Sequence, residues 1–243
     1  MFNKLSVRKF ASQLYWWLKG INRRFFGTRV EEAIWKKRSH LHARKGLVNV
    51  LLPHRVWLVD KILTHLEVPV QENEMQVYPA ILEIGCGCGA NLEVIAHRAP
   101  LLRLVGIDIS SAAIEVGRDH FAKLDLGGIT LIEGQADDLS AFSDASIDIV
   151  FTDAMFLYIG PDKIKNCIEE MRRIARRAII LLELHIDGIG SDGVYTRDGF
   201  VRDYRVLCKY FSDDIKLTRM PTEKRPAGRW PTYGTLIEVT LQK

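Results

Sequence analysis

The 243-residue sequence has no apolar run of about 18 residues, so no segment reads as a membrane-spanning helix. It also lacks an internal repeat, a low-complexity tract and a cleavable leader at its start, which argues against a solenoid, a disordered tether and a secreted product. Cysteine is scarce: four residues, Cys86, Cys88, Cys167 and Cys208, do not make a disulfide framework. Cys86 and Cys88 form a C-x-C pair, yet no second pair or nearby histidine completes a tetrahedral set, so no metal is expected. Together these absences point to a reducing, cytoplasmic setting.

What is present suits one α/β domain with decoration, since 47% hydrophobic residues over this length are enough to bury a large core. The net charge of +4 conceals an asymmetry. Residues 1–45 hold 12 Lys or Arg against 2 Asp or Glu, leaving −6 for the remainder. Within that basic segment Phe10, Leu14, Trp17, Ile21 and Phe25 recur at helical spacing, with Arg8, Ser12, Lys19 and Arg23 opposite. The pattern predicts a basic amphipathic helix over about residues 5–26. Its readings are a lid or packing helix on the main domain, or peripheral contact with the inner face of an anionic membrane. A second basic run, WKKRSHLHARK at 35–45, keeps RNA as a lesser partner.

The residues that carry chemistry begin at Ala80. Ala80 to Ile84 is an apolar run suited to a buried parallel strand, and Gly85, Gly87 and Gly89 follow before helical character resumes at Asn91. Alternate glycines let backbone approach a ligand, and the adjoining helix start offers unpaired N–H groups. The next strand, Leu102 to Ile107, ends at Asp108, where a carboxylate accepts from both hydroxyls of a ribose. An aspartate devoted to a ligand in this way should be removable without unfolding the domain.

Gly85, Gly87 and Ala90 also satisfy the dinucleotide fingerprint, so an NAD-dependent oxidoreductase is one reading. Glu83 favours another, because a carboxylate there repels a pyrophosphate and suits a cofactor bearing an ammonium and a sulfonium. With Glu83, Gly85, Gly87 and Gly89 in the pattern E-x-G-x-G-x-G, the chain resembles the class I S-adenosylmethionine-dependent methyltransferases over about residues 79–184. ITLIEGQADDL at 129–139 and SDASIDIVFTDAMFLYI at 143–159 look like the third and fourth strands of that family. Where the family places an acidic residue against adenine this chain has Gln135, whose carbonyl, with the Ala136 N–H, still offers a match.

The resemblance implies a doubly wound, mostly parallel sheet of order 3-2-1-4-5-7-6 with strand 7 antiparallel, its last strands at 215–221 and 234–241. The division expected is a helical extension over 1–70 and a cofactor-binding domain over 78–243, with a helix within 46–68, another opening at Pro161, and strand five at 175–185. S-adenosylmethionine is the implied cofactor, framed by Glu83, Gly85, Cys86, Gly87, Asn91, Asp108, Ile109, Gln135, Ala136 and Asp153. The acceptor is expected to be a small molecule or saccharide, with anionic character suggested by Lys224, Arg225, Arg229 and Trp230, and methylation is expected at oxygen. His185 and Asp153, at the ends of strands five and four, are the candidate bases, and the stretch 186–205 is read as a flexible cover or a plain crossover. RNA methylation and non-catalytic binding of the cofactor remain alternatives.

Overall fold

The computed structural model describes residues 28–66, 78–209, 214–225 and 227–241. The amphipathic helix expected over 5–26 therefore lies outside the described residues, and with it the membrane contact. Among the described residues no helix is long and apolar enough to cross a membrane.

The chain opens with short helices α1 (Arg29–Lys36) and α2 (His40–Arg44), a 3-10 turn at Lys45–Leu47, and α3 (Pro53–Leu63). There follow β1 (Ala80–Ile84), α4 (Ala90–Arg98), β2 (Arg103–Asp108), α5 (Ser111–Lys123), β3 (Ile129–Glu133), β4 (Ile147–Asp153), a 3-10 turn at Phe156–Tyr158, α6 (Ile164–Ile174) and β5 (Ala175–Leu184). The C-terminal part holds β6 (Val194–Thr196), β7 (Gly199–Val201), α7 (Tyr204–Cys208), β8 (Ile215–Arg219), α8 (Trp230–Tyr233) and β9 (Gly234–Thr240).

Seven strands form one sheet in the order β3-β2-β1-β4-β5-β9-β8. The first five pair in parallel, and β9 runs antiparallel to both of its neighbours. With the small β6–β7 ribbon set aside, this is the order the sequence predicts. All five residues of β1 are buried because helices cover both faces, which is why the segment reads as a continuous apolar run without alternation. One side of the sheet packs α3 and α4 through Leu58, Ile62, Leu92 and Ile95, and the other packs α6 through Ile164, Ile168 and Met171. Leu58, Val59 and Ile62 are fully buried, so α3 belongs to the core that the sheet organises.

Two segments differ from expectation. Pro161 does not open α6: the amides of Lys163 and Ile164 both donate to the Gly160 carbonyl, closing a turn first, and the helix begins at Ile164. The stretch 186–205 is neither a plain crossover nor structureless, because β6 and β7 pair within it and His185 bridges to Arg202. Arg202 is fully buried and donates to the Phe156 carbonyl at 2.7 Å and also to that of Ile159, tying the ribbon to the turn after β4.

Close approach sets one helix position. A Cβ at Gly117 in α5 would lie 2.6 Å from the Cys88 carbonyl oxygen and 2.4 Å from Leu131, so only glycine lets α5 meet the loop after β1. Gly117→Ala should lower stability by about 1–3 kcal/mol through overpacking, outweighing a helix-propensity gain of about 1 kcal/mol. Urea unfolding would show the midpoint fall, and an unchanged or raised midpoint would refute the contact.

Candidate functional site

The loop after β1 is held in shape by the strand beside it. The amides of Gly85 and Cys86 both donate to the Ile107 carbonyl, and Gly85, Gly87 and Gly89 take φ of 75°, 56° and 84°, where a side chain is strained. Asp108 completes the arrangement: one carboxylate oxygen accepts from the Gly87 amide at 2.8 Å and the other from the Ser110 amide at 2.8 Å. Burial lifts the Asp108 carboxyl above its ordinary range despite these backbone bonds. Asp108 is therefore a staple between loop and α5 as well as a wall of the cavity.

Beneath the loop lies a polar floor. Glu83 is 2% exposed, and its Oε1 accepts from Asn91 Nδ2 at 2.7 Å, while Glu83 Oε2 and Asn91 Oδ1 are buried without a hydrogen-bond partner. Burial, and then the nearby Asp153 charge, push the Glu83 carboxyl well up against the Asn91 bond. Asp153, at the end of β4, accepts from Arg225 Nη2 at 2.9 Å and from Asn91 at 3.4 Å, and His54 Nε2 lies 3.7 Å away. Burial alone would raise the Asp153 carboxyl, but the charges of Arg225 and His54 outweigh it and hold the group below its ordinary range.

Two adjoining cavities open on this floor. One, of about 250 Å³, runs between the loop and the ends of β2 and β3, against Ile109, Ala136, Met155 and Tyr158. The other, of about 410 Å³, lies under α2 and α3 and is lined by His54, Glu83, Gly87 and Asn91 among others. Trp35, Gly85, Asp108 and Asp153 line both. The N-terminal elements form the roof. Thr28 donates its amide and hydroxyl to Asp162, accepts from the Gly160 amide at 2.8 Å, and Glu32 meets Lys163 Nζ at 2.6 Å. Trp35 packs edge-on against Tyr158 with ring centres 4.8 Å apart.

Of the residues expected at the site, Glu83, Gly85, Cys86, Gly87, Asn91, Asp108, Ile109, Ala136 and Asp153 line one or both cavities. Gln135 does not; its Oε1 accepts from Lys163 Nζ at 3.3 Å on the exposed side, and its neighbours Gly134, Ala136 and Asp137 face the cavity instead. His185 lines neither cavity, and both of its ring nitrogens are engaged, one with Asp187 at 3.0 Å and the other with the Tyr204 amide at 3.2 Å. It is thus a fastening between β5 and α7, and its place as a base is overturned. Asp187 and Asp203 approach it closely, but Asp203 accepts from the amides of Gly188, Arg205 and Val206, so this cluster braces loops. Asp153 faces the site, yet its ion pair with Arg225 makes it a poor proton acceptor.

His54 and Arg55 carry no signal in the sequence, and Trp35 and Arg38 stand out there only within the basic run 35–45, because no local pattern ties α1 to α3 to the glycine loop. His54 is 8% exposed, and burial, with the charges of Arg225 and Arg55, lowers its pKa to about 4 despite the pull of Asp153, so the imidazole is neutral near pH 7. Glu183 was equally hidden in an apolar strand. It is fully buried; its Oε1 accepts from Thr152 and from the amides of Met155 and Phe156, fixing the turn that walls the smaller cavity. Burial pushes its pKa up to about 7 against those bonds.

Residues 81–178 match the family described as methyltransferase domain. A release factor glutamine methyltransferase from Caulobacter vibrioides is 30% identical over 166 residues, 64% of this chain and 52% of that protein, so the chain spans about half the length of this curated relative. In three dimensions the chain is similar to a SAM dependent methyltransferase from Aquifex aeolicus, with TM-score 0.55, 15% identity and coverage of 85% of this chain and 100% of the other. It is also similar to a geranyl diphosphate C-methyltransferase from Streptomyces coelicolor A3(2) that was solved with S-adenosyl-L-homocysteine, with TM-score 0.57, 12% identity and coverage of 77% and 79%. At these identities the structural likeness speaks to the fold.

Asp108→Ala should cost about 1–3 kcal/mol of stability in the ligand-free protein, because the Gly87 and Ser110 amides lose their acceptor. Denaturant unfolding without ligand measures this, and wild-type stability would mean the staple is idle. Glu183 gives a pH signature. A carboxyl raised from 4.5 to about 7 in the folded state contributes stability that is present below pH 4.5 and lost as pH rises through 7. Glu183→Gln should therefore lose less stability than wild type between pH 5 and pH 8, by on the order of 3 kcal/mol. Parallel pH dependences in thermal unfolding would contradict the assignment.

Proposed function

We propose that this chain, whose residues 81–178 match the methyltransferase-domain family, binds S-adenosylmethionine and transfers a methyl group to a small-molecule acceptor, at oxygen. The observation that carries this reading is the pair of buried acceptors, Glu83 Oε2 and Asn91 Oδ1, that lack donors under the glycine loop. Unpaired buried acceptors are costly, and a cationic donor such as an amino-acid ammonium answers them where a pyrophosphate brings no donor. That favours this cofactor over a nicotinamide dinucleotide.

The residues divide the task by their chemistry. Asp108 is placed for a ribose diol, since each of its oxygens holds one backbone bond and keeps a lone pair. Ile109, Ala136, Met155 and Tyr158 make an apolar slot suited to a base, and the loop Gly85–Gly87 offers close backbone to an amino-acid portion. The bound cofactor supplies a methyl carbon already activated by its sulfonium. The protein then has to align the acceptor and exclude water, which the roof of α1 and α2 favours.

At a hydroxyl acceptor a proton must also leave. His54 is better placed for this than His185, because it faces the larger cavity with Asp153 3.7 Å away, although a pKa of about 4 makes it a weak base in the ligand-free chain. Calorimetric titration of the purified chain with S-adenosylhomocysteine tests the cofactor reading. Wild type should bind at micromolar level, and Glu83→Gln should bind about tenfold or more weakly through the lost acceptor. Binding of NAD instead, or equal affinity in the variant, would overturn it.

A further inference from the structure

The larger cavity gathers four fixed cations from separate parts of the chain: Arg38 after α1, Lys45 in the first 3-10 turn, Arg55 in α3, and Arg225 beyond β8. Facing them are Asp108, Asp153 and Glu83. Two of these are already engaged, Asp108 by the Gly87 and Ser110 amides and Asp153 by Arg225, and burial drives Glu83 toward its neutral form. His42 and His54 also line the cavity with lowered pKa values, so neither adds charge near pH 7. Among the described residues Arg38, Lys45 and Arg55 make no ion pair.

The cations are also held in position. Arg38 lies 3.4 Å over the centre of the Trp35 ring and hydrogen-bonds His42. Arg55 Nη1 donates to the carbonyls of Gly46 at 3.3 Å and Asn49 at 2.9 Å. Arg225 stacks over Trp230 at 4.1 Å, and its Nη1 is buried with no partner. S-adenosylmethionine carries an ammonium, a sulfonium and one carboxylate, so even with Glu83 ionised against that ammonium the excess of cations persists. A neutral acceptor would leave it unrelieved in a site partly shut off from water, where charge complementarity counts most.

Resting on the methyltransferase reading, we infer that the acceptor is an anionic small molecule whose phosphate or carboxylate is gripped by Arg38, Lys45, Arg55 and Arg225 on the roof side of the larger cavity. The planar forks of three arginines suit either oxyanion, and Lys45 adds a point charge. The competing anion is the cofactor's own carboxylate, and the experiment separates the two.

The full chain, saturated with S-adenosylhomocysteine at low ionic strength, is titrated calorimetrically with inorganic pyrophosphate and, separately, citrate. At least one should bind, more weakly as salt rises, and an Arg38→Gln/Lys45→Gln variant should lose about tenfold or more of that affinity while losing less for S-adenosylhomocysteine. The single Arg38→Gln variant, with its unfolding midpoint checked, guards against a folding defect. Two results overturn the inference: anions that bind only to the ligand-free chain and compete with S-adenosylhomocysteine, which assigns the cations to the cofactor, and anions that bind neither form. Should S-adenosylhomocysteine itself fail to bind, the cofactor reading falls separately. The anion site is then judged on the free chain, where undiminished affinity in the variants refutes it.

Discussion

The Asp153 carboxylate is the interaction on which the rest of the site depends. It joins four stretches of chain at one point: His54 from α3, Asn91 from the helix after the glycine loop, the end of β4 itself, and Arg225 from the C-terminal hairpin. A buried charge is tolerated only when paired, and removing one member of such a pair costs far more than the pair contributes. The roof, the loop and the last hairpin are thereby placed relative to one another by one ion pair and its neighbours.

That arrangement explains a contrast among the acids. Asp153 is held ionised by Arg225, Glu183 on its backbone amides is raised to about 7, and Glu83 is pushed well toward its protonated form, the last two each with one oxygen unanswered. Three carboxyls within one sheet edge thus have three protonation habits, set by whether the partner is a cation, a set of amides or a single side-chain amide. The site keeps a fixed negative charge where the hairpin docks and, at Glu83, an acceptor without a donor.

The fold was largely legible. Its strands are continuous apolar runs ending in glycine or aspartate, and these signals are local: Ala80–Ile84, Arg103–Asp108 and Ala175–Leu184 fall where the pattern places them. The cavity wall was legible for the same reason, because Glu83, Gly85, Gly87 and Asp108 lie on the strands and turns that carry the motif. What failed depended on side-chain direction or on distant packing. His185 stands at a strand end as expected, but its ring is fastened to Asp187 and to the Tyr204 amide at the start of α7. Gln135 points outward to Lys163. His54 and Arg55 carry no local signature, and Arg38 shows only as part of a basic run, since their meaning comes from α1 to α3 folding over a loop that lies further along the chain.

The fastening of Thr28 and Glu32 to Asp162 and Lys163 closes a circuit between the start of the described chain and the segment after β4. These contacts are polar and partly buried, so their net worth is about 1 kcal/mol each, far below the cost of unfolding the sheet. The roof is therefore a latch whose opening leaves the strands intact. For a molecule seated beneath Trp35, residence time is set by how often that latch releases, and exchange with solvent becomes a property of the N-terminal segment.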